Sequence, residues 1–222
     1  MRLLALALFF AAGAAHADAE AWKGWYGGFG FGGAKSHATW LTNATTGVAT
    51  EQVDHKASSA LAGVQLGYNL RAGGHFVVGV EGSVYGAHLE ERTESELGAA
   101  APNQERVTKI TYPIQGTVHF GFATERTLTY VRGGFAYATL ELQAINHQVG
   151  NVATWDDHAT GWTAGAGFEY RLSRPWSLGF AYDRLSLRAV NLSTVNSGGV
   201  TVHANDFKAT VQLFVLRLNY RY

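Results

Sequence analysis

Cysteine is absent from the 222 residues, which excludes a disulfide scaffold, a thiolate metal centre and a cysteine nucleophile. Proline occurs only three times, too seldom for a proline-rich linker or tail. Charge is scarce as well: Asp, Glu, Lys and Arg make up 15%, against ~25% in an average soluble domain. Neither sign prevails, with 17 basic and 17 acidic residues, so nothing is left over to grip a phosphate backbone and nucleic acid is not an expected partner. No apolar run reaches the ~20 residues that a membrane-crossing helix needs. Glycine, by contrast, occupies 27 positions and aromatics 13% of the chain, within an apolar content of 47% that argues against disorder. What remains is a glycine- and aromatic-rich fold whose surface is poor in charge.

The first segment has the form of an export signal. Arg2 is followed by an apolar stretch over residues 3–12 and by Ala15-His16-Ala17, an A-x-A cleavage site. The expectation is a removable signal at 1–17 and a single exported domain at 18–222.

From Gly24 onward the period is two, that of strands. Ile110, Tyr112, Ile114, Val118, Phe120 and Phe122 share one face of a segment whose other face carries Lys109, Thr111, Gln115, Thr117 and His119. Trp162, Ala164, Ala166, Phe168 and Tyr170 likewise oppose Thr163, Gly165, Gly167, Glu169 and Arg171, and Phe214, Leu216, Leu218, Tyr220 and Tyr222 oppose Arg217, Asn219 and Arg221. The pattern predicts eight strands near 24–34, 58–70, 76–89, 107–122, 128–142, 159–172, 176–188 and 206–222. Tight connections at 71–75, 123–127 and 173–175 alternate with long polar ones at 35–57, 90–106, 143–158 and 189–205. An all-β, eight-stranded antiparallel up-and-down transmembrane barrel, with short turns at one rim and long loops at the other, has this layout. Two places break the pattern. Pro113 cannot donate to a ladder, so a bulge is expected there. After Asp183 the apolar phase slips to Leu185 and Leu187, which requires either a second bulge or the end of the membrane-embedded part.

A soluble barrel would turn its apolar face inward; three features favour the inverted arrangement. Trp25, Tyr68, Phe122, Tyr170, Trp176, Tyr220 and Tyr222 gather at the turn ends of the strands, as an aromatic girdle at a lipid–water boundary does. Glycines at 28, 30, 32, 63, 67, 165 and 167 lie on the polar face, where they make room in a narrow lumen. The final strand alternates Leu218, Tyr220, Tyr222, resembling the C-terminal recognition signal of bacterial outer-membrane barrels.

The segments WKGWYGGFGFGGA (22–34), GVQLGYNL (63–70), YVRGGFAYA (130–138) and TGWTAGAGFEY (160–170) resemble, in order and spacing, the small porin-like, opacity-type outer-membrane β-barrels of Gram-negative bacteria. That family includes surface antigens and hemin binders. The resemblance implies an integral barrel of the outer membrane with no enzymatic activity. The chain departs from the family at Gly116-Thr117-Val118-His119, where an arginine-glycine-arginine stretch is common, and at Tyr182-Asp183-Arg184-Leu185, where the family is tyrosine-rich.

Glu81, Arg132, Glu169 and Arg217 would all point inward at similar depth. Buried charges need partners, so a Glu81/Glu169–Arg132/Arg217 network is expected to plug the lumen; a narrow solute channel is the rival. His37, His55, His88, His147, His158 and His203 fall in or beside the long connections, without ligand spacing, so no cofactor and no metal is expected, and hemin binding by the loops is a second rival. Ser83 and His88, the closest approach to a nucleophile and its base, are five apart and so on opposite faces of a strand. The expected role is structural, with loops as a recognition surface for an unknown ligand. The expected partners are outer-membrane lipids and lipopolysaccharide, and the barrel-assembly machinery through the last strand; the expected state is a monomer.

Overall fold

The computed structural model describes residues 19–43, 50–94, 104–146, 150–189, 192–195 and 201–222; the expected export signal, Ala15 and Ala17 included, lies outside them. A single 3₁₀ turn, Ala19–Trp22, precedes the strands β1 (Gly24–Asn43), β2 (Thr50–Arg71), β3 (Phe76–Glu94), β4 (Gln104–Ala123), β5 (Thr127–Asn146), β6 (Asn151–Arg171), β7 (Trp176–Ala189), β8 (Leu192–Val195) and β9 (Thr201–Arg221). From β1 to β7 each strand pairs antiparallel with the next, and β9 pairs with both β7 and β1, so the sheet closes. The short β8 pairs with Thr201–Ala204 of β9, in line beyond the end of β7. β7 and β8 therefore share one place in the ring, and the barrel has eight staves.

The tight turns are local chemistry. Gly73 and Gly74 both have positive φ (99° and 50°), which a side chain would resist, and the Ala72 N–H closes the hairpin on the Phe76 carbonyl at 2.9 Å. In the next turn the Thr124 N–H bonds the Thr127 carbonyl at 2.7 Å, and the two hydroxyls bond each other at the same distance.

The strands run further than the sequence pattern predicts. β1 extends to Asn43, β2 begins at Thr50, β6 at Asn151 and β9 at Thr201, so most of the expected long connections are strand. A strand of 20 residues rising ~3.3 Å per residue at ~40° tilt stands roughly 50 Å tall, about twice the ~25 Å apolar band of an outer-membrane barrel. The staves must therefore cross two solvents.

Their side chains record that crossing. In the half nearest the tight turns, Phe29, Leu66, Val80, Val118, Val131, Phe180 and Leu216 point outward and are exposed, while Gln65, Glu81, His119, Arg132 and Arg217 are buried inside. In the other half the chemistry reverses. Ala34, Ala38, Leu61, Leu89, Leu140, Leu187, Phe207 and Leu213 pack into one apolar interior cluster, and Lys35, Lys56, His88, Arg184, Arg188 and Lys208 face out. The expected arrangement, with the apolar face outward, thus holds in the lower half, and above it the two faces exchange. The cause is the medium. Where the outer face meets lipid, the polar side chains can be gathered within. Where it meets water, the hydrophobic effect requires a dry core, as in a soluble barrel.

The swap needs no backbone defect in most staves. On β7, Ala181, Asp183, Leu185, Leu187 and Ala189 all point inward without a break in register against β6 or β9. The slip after Asp183 is therefore the end of the embedded zone, not a bulge. β4 differs. Its register shifts between Thr111 and Ile114 against β5, Tyr112 adopts φ 50°, and Pro113 sits in the gap between ladder pairs. Tyr112 stays on the outer face while Ile110 turns into the core, so Ile110 does not share a face with Tyr112 and Ile114 as the simple alternation has it.

Candidate functional site: the charged layer in the lumen

Glu81 on β3 lies at the centre of the lower lumen. Arg132 on β5 donates Nη1 to Glu81 Oε1 at 2.6 Å, and Arg217 on β9 donates Nη2 to Glu81 Oε2. Tyr26 on β1 donates its hydroxyl to the same Oε2 at 2.6 Å. Arg132 also binds Asp183 on β7 in the two-pronged manner of guanidinium and carboxylate, with Nε to Oδ1 at 2.6 Å and Nη2 to Oδ2. Arg217 Nη1 donates to the Tyr130 hydroxyl at 2.8 Å.

Glu169 is not part of this cluster. It accepts from Arg221 Nη2 at 2.7 Å and from the Ser177 hydroxyl at 2.9 Å. Together the residues make two layers, Asp183–Arg132–Glu81–Arg217 above and Glu169–Arg221 below. Glu81, Asp183 and Glu169 balance Arg132, Arg217 and Arg221. That balance matters because a buried charge without a partner costs several kcal/mol. Gln65–Asn219 and His119–Asn69 bonds, 2.8 and 2.9 Å long, fill the space between.

The glycines of the polar face make these layers fit. Tyr26 lies across from Gly67 and Tyr130 across from Gly167; a Cβ at Gly67 would sit 2.4 Å from the Tyr26 ring, and one at Gly167 would sit 2.3 Å from the Tyr130 ring. Each glycine leaves the hollow in which a lumen tyrosine lies flat.

The lower mouth is closed by Trp22, which is fully buried and donates Nε1 to the Thr124 carbonyl at 2.7 Å. The guanidinium of Arg221 stands 4.4 Å and that of Arg171 4.9 Å from the centre of its ring.

Of the expected charges, the structure brings together Glu81, Arg132 and Arg217 and sets Glu169 apart. Asp183, Arg221, Tyr26, Tyr130 and Trp22 are additional. The alternation Arg217, Asn219, Arg221 carries the signal for Arg221, and the position of Asp183 at the phase slip carries that for Asp183. Trp22 lies before any periodic segment and has no such signal.

The expected girdle residues Trp25, Tyr68, Phe122, Tyr170, Trp176, Tyr220 and Tyr222 all lie on the outer face near the tight turns, where Trp25 packs on Tyr68 and Trp176 on Tyr220 at 5.1 Å between ring centres. A second set, Phe31, Tyr112, Phe135, Trp162, Tyr182 and Phe214, lies on six of the eight staves at the level where the outer face turns polar.

The histidines are dispersed. His37, His88 and His158 project outward from β1, β3 and β6; His147 and the side chains of His55 and His203 lie outside the described residues. His88 bonds Glu90 at 3.0 Å; that bond, with help from Arg92, holds the Glu90 carboxyl below its usual range against the opposing pull of desolvation. Ser83 points into the lumen and His88 away from it.

A closed eight-stranded barrel with an apolar outer belt, aromatic residues along both of its edges and a charged lumen is an integral protein of the bacterial outer membrane. The outer membrane protein beta-barrel domain family matches residues 3–221, and the chain belongs to it. The 31 kDa outer-membrane immunogenic protein of Brucella melitensis is 29% identical over 208 residues, spanning 90% of this chain and 85% of that protein; its counterpart in Brucella suis matches equally. Among solved structures, the outer membrane protease OmpT of Escherichia coli shares the fold at 9% identity and TM-score 0.50, over 90% of this chain and 97% of that one. The outer membrane protein OprG of Pseudomonas aeruginosa is similar at 14% identity and TM-score 0.49, over 90% and 96%.

Proposed function

We propose that this barrel is a non-conducting scaffold that holds its upper hairpins out from the outer membrane as a recognition surface. One observation carries the reading: among the described residues, side chains at successive levels of the lumen are closed to water. Asp183 and Arg217 in the charged layers, and Leu185, Leu213 and Val215 above them, have no solvent-exposed surface. An eight-stranded interior is only wide enough for side chains, and here a salt-bridged layer and an apolar core occupy it in series. An ion would have to break the first and dehydrate in the second. The Brucella relative is named for its immunogenicity, which accords with an outward-facing upper half. The same reading makes the protein a monomer that engages the assembly machinery through the aromatic end of β9, at Tyr220 and Tyr222.

Planar-bilayer recording tests it. The expected result is no steady single-channel events from the wild-type protein. Steady openings whose conductance changes with Glu81→Gln or Arg132→Gln would establish the rival, a narrow channel for small solutes.

A further inference from the structure

Among the described side chains, the outer face of the upper half of the barrel is electrically lopsided. On β3, β4 and β5 the outward cations Lys109 and Arg92 are both paired: Lys109 bonds Glu141 at 3.2 Å, and Arg92 bonds Glu90 at 2.8 Å and Glu105 at 3.4 Å. Around the other side the register sets Arg184, Gln212, Lys35 and Ser58 in one row across β7, β9, β1 and β2. That row is roughly 14 Å long at ~4.8 Å between strands. Lys56, opposite His37, lies one outward pair above it. Among the described residues no carboxylate lies within ion-pair distance of Lys35, Lys56 or Arg184.

This row borders a groove. Lys35, His37, Lys56, Ser58, Thr210 and Gln212 line an open depression of about 340 Å³. It continues downward, sharing Lys35 and Ser58, into a second of about 300 Å³ bounded by Gly33, Ala60 and Phe214. Gly33 keeps that lower part open, since the nearest atom to a Cβ there would be 3.9 Å away. The upper part thus offers ammonium groups, hydroxyls and an amide; the lower part is an apolar channel running onto the lipid-facing belt at Phe214 and Phe31.

We propose that the Arg184–Lys35–Lys56 face is a binding site for lipopolysaccharide, with the phosphates of lipid A held by the three cations and an acyl chain lying down the Gly33–Phe214 groove. Lipid A joins phosphates to acyl chains at the boundary where this face passes from cationic to apolar, and charge-assisted bonds to phosphate are among the stronger polar contacts. The site rests on the upper half facing the outer leaflet, an orientation that external labelling of a Lys208→Cys variant, outside the groove, reports independently; it does not depend on whether the lumen conducts.

The test compares wild-type protein, a Lys35→Gln/Lys56→Gln/Arg184→Gln variant and a control Arg92→Gln/Lys109→Gln variant, each refolded in neutral detergent and checked by heat-dependent gel mobility. Binding is titrated with lipopolysaccharide, with the same material stripped of its lipid A phosphates, and with phosphatidylglycerol micelles. The triple variant should bind lipopolysaccharide at least tenfold more weakly than wild type and be indifferent to phosphate removal, while the control binds as wild type does. Equal binding by the triple variant, an equal loss in the control, or competition by phosphatidylglycerol as effective as that by lipopolysaccharide overturns the proposal. If the triple variant does not refold, Lys35→Arg/Lys56→Arg must bind as wild type and wild type must lose tenfold on phosphate removal; failure of either overturns it as well.

Discussion

Arg132 and Asp183 meet across the lumen through two hydrogen bonds, Nε to Oδ1 at 2.6 Å and Nη2 to Oδ2, although 51 residues and a stave of the barrel separate them in sequence. Both are buried, so neither charge can be solvated if the other is lost. Asp183→Asn is predicted to cost ~3–5 kcal/mol, the usual result of breaking a buried pair from one side. Replacing both partners, Arg132→Met with Asp183→Leu, should cost less than the sum of the single changes, because Glu81 keeps Arg217 and the lumen stays neutral. Urea unfolding in lipid vesicles measures both; additive losses would show that the pair is not coupled.

The lumen tyrosines and their glycines give a second prediction. A methyl at Gly67 would collide with the Tyr26 ring and one at Gly167 with that of Tyr130. Overpacking of this kind typically costs ~1–3 kcal/mol, so Gly67→Ala and Gly167→Ala should each lower the urea midpoint. In a Tyr26→Ala background the Gly67→Ala penalty should vanish, while the Gly167→Ala penalty remains. A Gly67→Ala cost unchanged by removing the Tyr26 ring would refute the account.

What the sequence made legible, and what it hid, follows from the same two-solvent geometry. Strand number, the positions of the tight turns and the bulge at Pro113 could be read because period two and the missing N–H of proline act locally. The upper staves could not. Lys35, His37 and Thr39 keep the alternation of Trp25, Phe29 and Phe31, yet they are polar residues on the face that is apolar below, so they look like the start of a loop. The charges followed the same logic: Glu81 and Arg132 stand out among apolar neighbours, whereas Asp183 sits where the apolar phase appears broken. That Arg221 pairs with Glu169 while Arg217 does not depends on stagger between β6 and β9, which no single strand encodes.

The level at which the outer face changes chemistry can be mapped because the chain has no cysteine of its own. Single cysteines at Lys208, Leu213 and Leu216 sample, within one strand, the outer face above the belt, the apolar core and the lipid-facing belt. On intact cells, a membrane-impermeant maleimide is predicted to label Lys208→Cys and to leave Leu213→Cys and Leu216→Cys unmodified. Labelling of Leu216→Cys, or protection of Lys208→Cys, would move the membrane boundary away from Phe214.

Trp22 bears on how the lower mouth is held shut. Its ring is fully buried beneath the guanidinium groups of Arg171 and Arg221, and Arg221 also donates to the Trp22 carbonyl at 3.3 Å while holding Glu169. Removing the ring takes away a large apolar contact and a cation–π partner for Arg221, so Trp22→Ala should cost ~3–5 kcal/mol. Trp22→Phe keeps a ring beneath the arginines but loses the indole bond to Thr124, so it should cost less than Trp22→Ala: ~1 kcal/mol for the hydrogen bond, plus the packing lost with the smaller ring. Because Arg221 joins Trp22 to the Glu169 layer, Trp22→Ala and Glu169→Gln should be less than additive in the same unfolding assay. Strict additivity would mean that the 3₁₀ turn caps the barrel without supporting the charged layer above it, and Trp22 would then be a lid and not a part of the plug.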